Sequence, residues 1–357
     1  MVPWAGRRYK EGMWRVSIQD LLHRRRRFLL AVAATGLAFG MSLLMQGFVT
    51  HLAWESRHMV GLFGADEWVV ADGGTGPFTT MTFVDASVVD ELRTQPGVRR
   101  ADPFVQAREI LHGLDTFVIG VESGGLGIPV AADGRAPASP GEVMTATMLG
   151  YHPGDQIQLA GRSATVVGTV ADASYYFGQP TVFALLSDVQ DRYFSGQRVA
   201  NGVAVSGAID PPAGMRVLTN RQAIADIDRP QKSGRQSVVI LDMLLWIMAA
   251  GIVATMVYLI ALERTRDVAV MKAMGVASRT LFGSVALHGL VLSAAALVVG
   301  VAAALLLAPV FPFTMRLEVT AVFKVGLVAV AVGLLASLIG YRRAVGVDPA
   351  VAFGRSA

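Results

Sequence analysis

Cysteine is absent from all 357 residues, which excludes disulfides, thiol nucleophiles and cysteine-ligated zinc. Charge is scarce: 16% of residues are Asp, Glu, Lys or Arg, against 53% hydrophobic, and the mean hydropathy is +0.49. Those values lie outside the range of an ordinary soluble domain. No Gly-Lys dipeptide occurs, so the chain has no Walker-type phosphate loop, and ATP hydrolysis, if it is involved, belongs to another polypeptide. The glycine-rich stretch Asp72–Gly76 has no lysine and no clear helix start behind it, and reads as a loop. There is no His-Glu-x-x-His, the six histidines are scattered, and no nucleophile–base pairing is evident. The sequence therefore reads as a non-enzyme without a metal or cofactor of its own.

What the chain has in quantity is long apolar runs. Phe28–Val49, Val238–Ala261, Leu281–Leu307 and Ala321–Ile339 are each long enough to cross a hydrocarbon layer of about 30 Å. The first run is too long for a signal-peptide core and lacks a small-x-small cleavage site, so it reads as a retained anchor. The expected organisation is an amphipathic helix over 1–27, spans at 28–50, 238–262, 281–308 and 321–340, a domain over 51–237, a segment at 263–280, a loop at 309–320 and a tail at 341–357. Trp4–Leu22 reads as a helix lying on the membrane surface, with Trp14, Ile18, Leu21 and Leu22 on one face. The fold class is thus α-helical membrane protein with four spans arranged one plus three, and a mixed α+β domain between the first two.

Charge sets the orientation. Segments 1–27, 263–280 and 341–357 together hold 15 Lys and Arg against five acidic residues, whereas 51–237 holds 14 against 20. The positive-inside rule puts both termini and the 263–280 segment in the cytoplasm and the large domain outside a cell or inner membrane. The basic pI of about 9.6 then reflects a collar at anionic lipid headgroups, not a nucleic-acid surface. Acidic residues are missing from mid-depth in the spans, which argues against a proton relay.

Within the domain, period-two alternation predicts strands at Glu67–Ala71, Arg99–Ile110, Thr116–Val121, Gln156–Leu159, Ala164–Val170, Thr181–Leu185, Val203–Val205 and Met215–Leu218. Helices are expected at Asp85–Thr94, Glu142–Gly150, Ser187–Tyr193 and Arg221–Ile227. Ser123–Gly141 and the Pro211-Pro212 region read as joints.

In the first span Gly36 and Gly40 form a G-x-x-x-G pattern suited to close packing against another helix or a second copy of the chain. Gln46, further along, is placed to contact that partner or a cargo. His51 and His58 are seven residues apart, a spacing that admits a shared ligand on one helix face. His288 is the only histidine well inside a span.

One stretch is too charged for lipid and too regularly apolar for a linker. It runs Glu263-Arg264-Thr265-Arg266-Asp267-Val268-Ala269-Val270-Met271-Lys272-Ala273-Met274-Gly275, with Val268, Met271 and Met274 at helical spacing. It resembles the E-R-x-R-E-I-[GA]-x-[LM]-[RK]-A-[LIM]-G run of the MacB, FtsX and LolC type of ABC transporter permease. Asp348-Pro349-Ala350 is similar to that family's D-P-x-x-A-L ending, with Phe353 in place of the usual leucine. Phe63-Gly64-Ala65-Asp66-Glu67-Trp68-Val69-Val70 resembles the start of the outer domain in the DevC-like branch.

The resemblance implies a permease subunit that works by mechanotransmission. Glu263, Arg264, Arg266, Asp267, Val270, Met271, Lys272, Met274 and Gly275, with Asp348 and Pro349, would meet a separate ABC-type ATPase that binds the ATP. A second copy or a sister permease would complete a dimer, in contact with membrane lipids and, where needed, an extracytoplasmic adaptor. The expected output is export or extrusion of an amphipathic cargo. The alternative is an FtsX-like signalling permease that activates an extracytoplasmic cell-wall hydrolase and moves nothing.

Overall fold

The computed structural model describes residues 25–80, 82–263, 278–311 and 316–345. The surface helix expected at Trp4–Leu22 lies outside the described residues. The chain divides into two compact units, one comprising Met1–Thr50 with Gln236–Ala357 and the other His51–Arg235.

Among the described residues four helices are long and apolar enough to cross a membrane: α1 (Arg25–Leu62), α4 (Asn220–Glu263), α5 (Ser278–Leu307) and α6 (Val319–Val345). At ~1.5 Å per residue α1 is ~57 Å long and α4 ~66 Å, well beyond the ~30 Å that hydrocarbon requires. The surplus belongs to the His51–Arg235 unit, so both helices run through both units without a break.

The helix expected at Arg221–Ile227 and the span expected from Val238 are therefore one helix. Asp228, Pro230 and Gly234 look like breakers, and Pro230 does forgo the bond to the carbonyl four residues back. The helix persists because Ala223, Asp226, Ile227 and Gln231 are fully or almost fully buried against the domain, so tertiary packing outweighs local propensity.

The His51–Arg235 unit is an α+β domain built on one eleven-stranded sheet. Its strands are β1 (Glu67–Ala71), β3 (Val98–Leu111), β4 (Leu114–Val121), β5 (Asp133–Gly134), β6 (Glu142–Ala146), β7 (Gln156–Leu159), β8 (Arg162–Val170), β9 (Ser174–Tyr175), β10 (Gln179–Leu185), β12 (Gly202–Gly207) and β13 (Met215–Thr219). The order is β13-β1-β12-β3-β4-β10-β6-β8-β5, with β7 on β8 and β9 on β10. The β4–β10 and β6–β8 pairs are parallel and the rest antiparallel. A separate two-stranded ribbon joins β2 (Val84–Asp85) to β11 (Val199–Ala200).

Alternation along the strands feeds two opposite cores, since successive side chains point to opposite faces. Trp68 and Val70 of β1, Phe104 of β3, and Phe117, Ile119 and Val121 of β4 pack with Met59, Val60 and Phe63 of α1 and Ala223 and Ile227 of α4. Val105 and Val118 face the other way, toward Leu186 and Val189 of α3 (Leu186–Tyr193). Val69, Ala101 and Val203 pack against Val89 and Leu92 of α2 (Val88–Arg93).

The helix expected at Glu142–Gly150 is instead strand β6 followed by a single 3-10 turn, Thr147–Leu149. Its run Val143-Met144-Thr145-Ala146 is buried throughout and lies between β10 and β8. A central strand covered on both faces reads as a continuous apolar run, which periodicity alone cannot distinguish from a helix. At its start the Arg135 guanidinium and the Ala138 N–H hold the Glu142 carboxyl down at about 2.

In the unit that holds the spans, α1 packs on α5 through glycine. A Cβ on Gly300 of α5 would lie 2.9 Å from the Gly36 carbonyl oxygen and 3.0 Å from the Gly40 nitrogen. Gly36 and Gly40 thus face a helix of the same chain. Gly289 of α5 and Gly333 of α6 form a second such approach. Because these neighbours are backbone atoms, Gly300→Leu should destabilise the chain by about 1–3 kcal/mol. Gly61→Ala, whose Cβ meets nothing within 4 Å, should not destabilise it and should add up to about 1 kcal/mol through helix propensity. Thermal unfolding in lipid nanodiscs compares the two, and an unaltered midpoint for Gly300→Leu refutes the contact.

Candidate functional site

At one end of the helical unit, Arg27 near the start of α1 pairs with Glu263 at the end of α4, Nη1 to Oε1 3.5 Å. Both groups are substantially exposed, so the pair marks a position more than it adds stability. Glu263 is the first residue of the charged stretch singled out above. Arg264, Arg266, Asp267, Val270, Met271, Lys272, Met274 and Gly275 lie outside the described residues, as do Asp348 and Pro349.

Further along α1, at Ser42 and Gln46, lies a small polar group between apolar helices. Gln46 Nε2 donates to Asp242 Oδ2 of α4 at 3.4 Å and to Ser42 Oγ at 3.4 Å, and Trp246 Nε1 donates to Ser42 Oγ at 2.9 Å. The two pairings, 27 with 263 and 46 with 242, fix α1 and α4 as antiparallel neighbours. Gln46 therefore makes a helix–helix contact. Polar bonds of this kind between helices contribute ~0.6–2 kcal/mol in a bilayer.

His51 and His58 do not converge. Each stacks on the Trp54 indole, at centroid separations of 5.9 and 4.4 Å, one from before it in the helix and one from after. An indole between them prevents a shared metal or haem iron. Among the described residues no three His, Cys, Asp or Glu side chains are grouped to hold a metal. His288 is buried within α5.

The informative side chains of the domain are carboxylates on the two long helices. Glu55 of α1 is buried and accepts from Ser174 Oγ at 2.5 Å and from the Gly178 N–H at 3.0 Å. It thereby holds the turn Tyr176-Phe177-Gly178, in which all three residues have positive φ, 33°, 63° and 81°. For tyrosine and phenylalanine that conformation costs on the order of 1–2 kcal/mol each, so the turn needs such an anchor. Asp226 of α4 accepts from the N–H groups of Phe78 (2.8 Å) and Thr79 (2.9 Å) and from the Thr79 hydroxyl. Ser56 of α1 donates to Asp228 of α4 at 2.6 Å, and Arg235 closes on the same carboxylate at 3.1 Å.

These contacts explain the glycine-rich loop. Asp226 occupies the space that a Gly76 Cβ would need, and Arg216 caps the Gly74 carbonyl. The loop's glycines admit protein side chains, in keeping with the reading of Asp72–Gly76 as a loop and not a phosphate cradle. Sequence reasoning missed Glu55, Asp226 and Asp228. Their one visible signal was charge placed on helix that continues into an apolar span.

Asp226→Ala should leave two buried N–H donors unsatisfied, at about 1–3 kcal/mol each. Amide exchange at Phe78 and Thr79 should accelerate at least ~10-fold. Unchanged protection at both amides refutes the clamp.

The carboxy-terminal part, residues 240–349, matches the family model described as FtsX-like permease C-terminal. The chain is 35% identical over 343 residues to the uncharacterized ABC transporter permease Rv2563 of Mycobacterium tuberculosis (strain H37Rv), covering 95% of this chain and 98% of the relative. It is 36% identical over 344 residues to a second uncharacterized ABC transporter permease of that strain, Rv0072, with the same coverage. It also matches the extracellular domain of YknZ, a noncanonic ABC-type transporter of Gram-positive bacteria. That match has a TM-score of 0.33 at 11% identity and covers 43% of this chain and 99% of that one, a likeness too loose to carry an argument.

Proposed function

The chain belongs to the ABC transporter permeases and is FtsX-like in its carboxy-terminal part, and from that premise we propose that it couples ATP hydrolysis by a partner subunit to export or extrusion of an amphipathic cargo. An ABC permease works with an ATPase subunit, and this chain has no Walker loop of its own. The observation that carries the reading is the continuity of α1 and α4 through both units, with Glu55 and Asp226 gripping loops of the domain. In this reading the helix backbone is the route by which a displacement at the basic end of the spans would reach those loops. The basic segments support a cytoplasmic position for that end, with Glu263–Gly275, and an extracytoplasmic one for the domain. ATP binding shifts the permease only if the ATPase meets this segment differently in its two states. A second permease copy or a sister chain completes the assembly.

An FtsX-like signalling permease that activates an extracytoplasmic hydrolase uses the same mechanical parts. No feature of the domain favours it over cargo handling.

Two experiments test the reading. Lys272→Glu combined with Arg266→Glu should lower permease-stimulated ATPase activity at least ~10-fold in a complex with a co-expressed ABC ATPase; unaltered stimulation removes the docking role of Glu263–Gly275. Inserting two glycines between Arg235 and Gln236 should preserve assembly and ATP hydrolysis while abolishing cargo efflux from cells. Efflux at the unmodified rate would show that helix continuity is not the transmission route.

A further inference from the structure

The domain contains an open cleft of about 480 Å³, lined wholly by residues of the His51–Arg235 unit. That volume lies within the range of small-molecule sites. Its walls are aromatic: Phe78, Phe117 and Tyr176 are buried, whereas Phe83 and Phe177 stand at the rim, 43% and 45% exposed. The floor is the sheet face where β3, β4 and β10 run out of the main core. Gln106 and Arg108 of β3 point to the same side as Phe117 of β4, which pairs directly with Arg108, and Gln179 opens the neighbouring strand.

The polar chemistry of the cleft is one-sided. Arg108 is already engaged, its Nη1 3.0 Å from Asp115 Oδ2 and its guanidinium carbon 4.6 Å from the centre of the Phe117 ring. Gln106 spends its Nε2 on the Pro77 carbonyl at 3.2 Å, and Gln179 spends its own on Asp115 at 3.1 Å. These bonds orient both amides, and both carbonyl oxygens are left buried without a hydrogen-bond partner. An unsatisfied buried acceptor is costly, and because these oxygens have almost no surface open to the cleft, a donor relieves them only as the neighbouring wall side chains shift. Aromatic faces add attraction for a cation. The one cationic side chain of the lining, Arg108, is already paired with Asp115, so an anion competes with that carboxylate for it.

We propose that this cleft binds an amphipathic ligand with an apolar body and a hydrogen-bond-donating head of the amine or amide class, the Gln106 and Gln179 carbonyls receiving the head and the phenylalanines the body. The site is placed to report its occupancy. The Tyr176–Gly178 wall is anchored by Glu55 of α1, and the Phe78–Thr79 wall by Asp226 of α4. Pro230 of α4 lines the cleft, and the Phe177 ring lies against Gly234, where a Cβ would come within 3.3 Å of it. An occupant that moves either wall therefore acts on a helix that continues into a span. The ligand class rests on the amphipathic cargo proposed above, but the binding test needs no ATPase, so failure of the site and failure of the transport reading are separately visible.

The test is photolabelling of the full chain in lipid nanodiscs with a diazirine-bearing dodecylamine, mapped by peptide mass spectrometry. Label is expected on peptides containing Phe78–Phe83, Gln106–Arg108 or Tyr176–Gln179. It should fall at least fivefold with excess dodecylamine and less than twofold with equal dodecanoate. Thr80→Trp, which fills the cleft from a half-exposed position, should also reduce it at least fivefold. Phe83→Ser at the exposed rim serves as a second variant should the first disturb folding. Label confined to peptides of the spans, label undiminished in both variants, or dodecanoate competing as well as dodecylamine overturns the proposal.

Discussion

Backbone hydrogen bonding in hydrocarbon constrains everything else in this chain. A segment that crosses lipid must satisfy its own N–H and C=O groups, and a helix does so with no help from solvent. Two of the four spans then keep the same bonding pattern beyond the length that lipid demands. Continuing a helix costs less than ending one and starting another, because each end leaves four backbone groups to be satisfied elsewhere. The extra turns of α1 and α4 provide one wall of the domain core, through Met59, Val60 and Phe63 on one helix and Ala223 and Ile227 on the other. The spans and the core of the domain thus share two structural members.

Polar side chains on those extra turns do the fastening. Glu55, Ser56, Asp226 and Asp228 would be poor choices on an isolated helix, where Asp and Ser compete for backbone bonds. Here each has a partner on another segment, and two of the partners are loops whose conformations need holding. The left-handed backbone of Tyr176 and Phe177 is tolerated because a buried carboxylate receives the hydroxyl of Ser174 and the amide of Gly178. The loop at Phe78 and Thr79 has no strand partner of its own and takes its bonds from Asp226.

Much of this organisation could be read from the residues. Apolar length revealed the spans, and alternation revealed strands such as Glu67–Ala71 and Gln156–Leu159. The failures share a cause. The helix expected at Arg221–Ile227 and the span expected from Val238 proved to be one helix, because the packing of Ile227 and Gln231 that carries it through Pro230 and Gly234 is visible only in three dimensions. Glu142–Gly150 was read as a helix because a strand buried on both faces loses its alternation. The cleft was not legible at all. It is assembled from positions between Phe78 and Pro230 that no spacing rule connects, and its chemistry lies in two glutamine oxygens whose lack of partners is a property of the fold.

Burial on both faces of the sheet has a further consequence, for divergence. Strands β1, β3, β4 and β10 each present side chains to one core or the other, so a change of volume in their interiors disturbs packing that neither face can relax. Phe83 and Phe177, exposed at the rim of the cleft, carry no such double obligation, and their ring sizes can vary while Glu55 and Asp226 hold the neighbouring backbone in place. A scaffold divided in this way can change the surface of its cleft by a handful of loop substitutions, leaving the two cores and the long helices untouched.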